Sequence, residues 1–130
     1  MELKEYKERL NLEKETERKE AVEKFLSLMV DMKIDLGETE RIIINRKWSF
    51  GRSIVYYPCN GDKDEIKITK EGKEEIMECK NKTRSDLKKL LRIERNRKHI
   101  ESIGATIKYF KNTEVFSETE KWVIDCTNIK

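Results

Sequence analysis

The chain has 130 residues, of which 42% are charged and 36% hydrophobic, with a formal net charge of +3; that is the size of one domain with a thin core. No apolar run approaches the roughly 18 residues of a membrane span, and Met1-Glu-Leu-Lys-Glu lacks the pattern of a secretory signal, so a soluble cytoplasmic protein is expected. Cys59, Cys79 and Cys126 show no C-x-x-C spacing and His99 is the only histidine, which argues against a disulfide framework, a structural zinc site and a histidine triad.

Residues 1 to about 35 are rich in Glu, Lys and Leu and hold no Gly or Pro, so they read as a long charged helix. Its second half is amphipathic through Val22, Phe25, Leu26, Met29 and Met32, and Gly37 suits a helix end. From Glu40 the texture becomes β-like. Arg41-Ile-Ile-Ile-Asn and Ser53-Ile-Val-Tyr-Tyr suit two strands of a hairpin. Asp64-Glu-Ile-Lys-Ile-Thr and Glu74-Glu-Ile-Met-Glu-Cys-Lys suit a second hairpin around Gly72. Thr83-Arg-Ser-Asp86 is a helix start signal. Leu87, Leu90, Leu91, Ile93, Ile100 and Ile103 then form an apolar stripe ending at Gly104, and Ala105-Thr-Ile-Lys-Tyr-Phe suits a further strand. Residues 111–130 fit either a strand or a helix. The expected class is mixed α/β (α+β) in αβββαβ order, with residues 40–110 as the core around a small mixed sheet.

The second hairpin carries the chemistry. A three-residue loop, Lys70-Glu71-Gly72, sets Ile68 opposite Glu74, Ile66 opposite Ile76, Asp64 opposite Glu78 and Asp62 opposite Lys80, all on one face. Asp64 facing Glu78 is a like-charge pair that a divalent cation would turn into an attraction. Lys80 beside it suits activation of a metal-bound water or stabilisation of charge on a phosphate. From Lys80 to Lys98 there are nine Lys or Arg against Asp86 and Glu94, a block able to hold a polyanion. The plainer reading is a solvated hairpin and a solvated helix face, and a slip of one residue in register disperses the acidic cluster.

The stretch Gly61-Asp-Lys-Asp64…Glu75-Ile-Met-Glu78-Cys79-Lys80 resembles the motif of the PD-(D/E)XK nuclease superfamily, closest to its small Holliday-junction-resolvase-like and restriction-endonuclease-like members. The resemblance spans residues 62–110. It implies Asp64 and Glu78 as ligands of Mg²⁺ or Mn²⁺, Lys80 as the catalytic lysine, and DNA as substrate. Asp62 rivals Asp64 for the aspartate role, no proline precedes either, and Glu17, Glu20 and Glu23 are equal candidates for a helix glutamate. Lys82, Arg84, Lys88, Arg92 and Arg95 are the expected phosphate contacts, and a homodimer would let so small a domain cover more duplex. Cys79 reads as a small core residue. Trp48, Phe50, Tyr56 and Tyr57 suit either core packing or base stacking.

Two other classes fit the same residues. Ile68-Thr-Lys-Glu-Gly-Lys-Glu-Glu-Ile76 resembles the segment after the wing of winged-helix repressors, which would make residues 73–81 helical in a non-enzymatic DNA-binding regulator. A small interaction or inhibitor protein of mobile-element origin, gripping a host protein through its charged first helix, is the third.

Overall fold

The computed structural model describes residues 2–49 and 61–129, with the side chains of residues 61–63 left aside. Helix α1 (Leu3–Asp31) leads into strand β1 (Arg41–Ser49), followed by β2 (Gly61–Lys70) and β3 (Lys73–Met77). Helices α2 (Asn81–Arg92) and α3 (Glu94–Glu101) precede strands β4 (Thr106–Glu114) and β5 (Ser117–Asp125). The class is α+β, as expected. The expected small mixed sheet is antiparallel at every pairing, in the order β3-β2-β1-β5-β4. The ambiguous C-terminal region resolves as strand β5, whereas the expected strand at Ser53–Tyr57 lies outside the described residues.

All three helices lie on one face of the sheet. Ile42 and Ile44 of β1, Ile66 and Ile68 of β2, and Trp122 and Ile124 of β5 are buried there against Phe25, Met29, Leu87, Leu91 and Ile100. These strand residues alternate with exposed or half-buried ones, the period-2 pattern of a sheet with one wet face. No described helix is long and apolar enough to cross a membrane.

Several element ends differ from the sequence expectation for local reasons. Helix α1 stops before Gly37: Lys33 takes a left-handed φ of 58°, with Ile34 N–H donating to Met29 O and Lys33 N–H to Val30 O. That is the bond pattern of a Schellman cap, closed by the apolar contact of buried Ile34 and Met29. The expected helix from Thr83 begins at Asn81 and breaks at Ile93, whose φ, ψ of −86°, 117° are extended. Side chains take up the carbonyls freed by that break. Asn96 Nδ2 donates to Leu90 O (3.2 Å), Trp122 Nε1 to Leu91 O (3.1 Å) and Arg97 Nη1 to Leu91 O (2.6 Å). Residues 73–77 are a strand, which overturns the helix that the winged-helix reading requires there. Gly104 sits at φ +105°, and a Cβ there would stand 2.1 Å from Asn128 O, so the turn into β4 requires glycine.

Candidate nucleic-acid interface

The β2–β3 hairpin differs by one residue from the register expected. Lys70 pairs with Lys73, Thr69 with Glu74, Ile68 with Glu75 and Ile66 with Met77, around a two-residue turn at Glu71 and Gly72. Both turn residues have positive φ (49° and 76°), the requirement of the turn whose twist matches paired strands. The single-residue shift exchanges the faces of β3. Met77 and Cys79 turn toward the core and Glu78 between them is exposed. Asp64 is on the helix-covered face with Ile66 and Ile68, opposite Arg46 of β1. The expected facing pair of Asp64 and Glu78 is therefore not formed. The reason is burial: the observed register keeps Glu74 and Glu78 away from the helices, at the cost of leaving Ile76 61% exposed. Lys80 is exposed just before α2, and the side chain of Asp62 lies outside the described residues. Among the described residues no cluster of three or more His, Cys, Asp or Glu is arranged to hold a metal ion.

Asp64 has a cation partner already. Lys88, expected to reach phosphate, is turned inward from α2 and bonds Asp64 Oδ2. The rest of the expected basic surface divides similarly. Arg84 is half-buried and donates to Cys79 O (3.0 Å), and Arg92 pairs with Glu120 at 2.9 Å. Arg95 is exposed and reaches Glu17 at 3.4 Å, so that Glu17 belongs to the α1–α3 contact. Glu20, Glu23 and Lys82 are exposed to solvent.

Glu120 anchors a polar layer beneath α2. It accepts from Arg46 Nη1 (2.6 Å), Tyr109 OH (2.6 Å) and Arg92 Nε (3.1 Å). Burial alone would raise its pKa, but the bonds from Arg92, Tyr109 and Arg46 outweigh it and hold the carboxyl down to about 2. Burial pushes the Tyr109 hydroxyl up to about 12, with help from its bond to the Glu120 carboxylate. The Tyr109 ring stacks on Trp122 with centroids 5.1 Å apart, and the Arg97 guanidinium lies 4.7 Å from the Tyr109 centroid on the cation–π side. Arg46, Arg92 and Tyr109 all bond Glu120, so this layer is a structural clasp between α2 and the three strands β1, β4 and β5.

The free charge is on the other face of the sheet. There Phe110 of β4 stands opposite Lys121 of β5, which stands opposite Asn45 of β1. The next row is Lys108, Val123, Ile43 and Lys67, and the row on the other side is Asn112, Thr119 and Lys47. Phe110 is 54% exposed. Lys67 pairs with Glu65 at 3.2 Å, whereas Lys47, Lys108 and Lys121 have no ion pair among the described residues. Of the acids of this face, Glu65 of β2 stands opposite Asn45 in the Phe110 row and is held by Lys67, Asp125 is turned onto Thr127, Glu74 lies on the edge strand β3, and Glu114 ends β4. This patch is not among the sites expected from the sequence, although the alternation in Lys108-Tyr-Phe110-Lys is its visible sign. It was missed because Lys47, Phe110 and Lys121 are far apart in the chain and only the order β1-β5-β4 gathers them. No family model matches the chain, and the searches of curated proteins and of solved structures likewise found no match.

Proposed function

We propose that this protein is a non-catalytic binding domain for single-stranded nucleic acid, and that the uncovered face of its sheet is the binding surface. The observation that carries the reading is a sheet face on which Lys47, Lys108 and Lys121, without an ion pair among the described residues, accompany the exposed ring of Phe110. Lysines neutralise phosphates without regard to sequence, and an aromatic ring on a sheet stacks on any base whose face is free. Duplexes hide those base faces, and a broad sheet face fits no groove as a helix or two-stranded ribbon does, so an unpaired strand is the better fit. Metal-dependent cleavage at Asp64, Glu78 and Lys80 has less support, because Asp64 is held by Lys88 and Glu78 is exposed beyond β3.

The test is fluorescence anisotropy with labelled single-stranded DNA, single-stranded RNA and duplex DNA, each with Mg²⁺ and with chelator. Single strands are expected to bind without metal, and their affinity to fall with salt. Phe110→Ala should weaken binding by about 1–3 kcal/mol. Each of Lys108→Ala and Lys121→Ala should lower the salt slope by about 0.7. Lys82→Ala, on α2, should change little. Loss of binding in Lys82→Ala with no effect of the sheet variants would move the interface back to the basic helix. Mg²⁺-dependent cleavage abolished by Glu78→Ala would replace the binding reading with the nuclease one.

A further inference from the structure

Strand β4 is the edge of the sheet on the β5 side, nine residues long, without proline. Its backbone orientation follows from bonds on either side. Cys126 N–H donates to Glu40 O, so the even-numbered residues of β5 face β1 and its odd-numbered residues face β4. Val123 pairs with Lys108, and the even-numbered residues of β4 therefore bond β5. The N–H and C=O groups of Ile107, Tyr109, Lys111 and Thr113 point to the open edge. Ile107 N–H agrees: it donates to the Glu101 carboxylate (3.1 Å) rather than to a strand. Among the described residues no strand takes up the groups of the other three, the situation that sheet proteins ordinarily avoid.

We infer that this edge pairs with the same edge of a second copy, antiparallel, about a two-fold axis through Phe110. Side chains directly opposite one another must share a face, so such a two-fold passes through a residue position. Centred on Lys108 or on Lys111 it would set lysine against lysine, which is destabilising. Centred on Phe110 it engages the whole of β4. Tyr109 then exchanges backbone bonds with Lys111 of the second copy, and Lys111 with its Tyr109. Thr113 N–H meets the second copy's Ile107 C=O, leaving Glu101 on the Ile107 N–H. On the outer face Phe110 meets Phe110 of the second copy in the closer, non-hydrogen-bonded kind of pair, where aromatic side chains gain most. Lys108 meets Asn112 of the second copy, and Thr106 meets its Glu114. No like charges oppose each other. The exposed Phe110 and the open backbone groups of the mid-strand are thus explained together, and the two lysine faces join into one continuous platform.

Sedimentation equilibrium of the purified full chain without nucleic acid tests this independently of any binding activity, using a pair of variants of opposite sign. Asn112 is exposed, so its replacement leaves the fold intact, as circular dichroism would verify. The wild type is expected to dimerise reversibly. Asn112→Lys places like charges opposite Lys108 twice by symmetry and should weaken the dimer by about tenfold. Asn112→Glu places opposite charges there and should tighten it. Phe110→Asp should give monomer. A wild type that remains monomeric at every concentration would overturn the inference, as would a dimer indifferent to both Asn112 variants.

Discussion

Glu120 is the residue on which most of the polar layer depends. Arg46, Arg92 and Tyr109 all donate to it, from β1, α2 and β4, so its removal strands donors on three elements, that of Arg46 mostly buried. Glu120→Ala is expected to cost about 3–5 kcal/mol by denaturant unfolding, the scale of a buried charge pair broken on one side. Its pKa falls from an ordinary 4.5 to about 2 on folding. The stability it contributes is therefore complete above pH 4.5 and is lost as pH drops toward 2. Glu120→Gln should flatten that acid limb of a stability-versus-pH profile. Tyr109 has the opposite sign: its pKa rises from 10 to about 12, so its contribution is complete below pH 10 and lost as pH climbs through 12. An acid limb unchanged in Glu120→Gln would mean that the layer carries no net stability.

At the scale of elements, two turns are occupied by residues that fit them poorly. Lys33 caps α1 at φ 58° and Glu71 opens the β2–β3 turn at φ 49°, both in the left-handed region that disfavours side chains with a Cβ. Lys33→Gly and Glu71→Asn should each stabilise the fold by about 0.5–1 kcal/mol in thermal or denaturant unfolding. The second also tests the register. A three-residue loop places only Gly72 in the left-handed region and would gain nothing from asparagine at residue 71. The hairpin shows how local the undecided information was. Both strands and their turn are legible in residues 64–79, but Ile76 and Met77 are nearly equivalent as core residues by their chemistry alone. Packing against the buried core, on the face that the pairing of β2 with β1 sets, selected Met77, and with that choice Glu78 moved away from Asp64.

For the whole molecule, the first half of α1 stands apart from the remainder. Its residues are exposed from Glu2 through Glu17, with Leu3 and Leu12 each at 68%. Burial on the core begins at Ala21, and the first tertiary ion pair is that of Glu17 with Arg95. A chain starting at Glu13 should therefore keep the melting temperature of the full chain within a few degrees, about 1 kcal/mol. A large loss would show that this half-helix is anchored more firmly than its exposure implies. Should the dimer form through β4, the same truncation should leave it intact, because α1 packs on α2 and α3 across the covered face.

The sequence alone determined the α+β character, the long charged first helix, the Ile-rich β1, the β2–β3 hairpin and the apolar stripe of α2. Each follows from a periodicity or a turn residue that acts within a few positions of itself. Tertiary structure decided what depends on residues distant in the chain. It set the strand order that gathers Lys47, Lys121 and Phe110 on one sheet face, and it turned Lys88 inward onto Asp64 and laid Arg92 on Glu120. A lysine in an amphipathic helix reads the same whether it faces solvent or a buried carboxylate. Only the partner that folding places within reach separates the two, and here that partner is contributed by another element in each case.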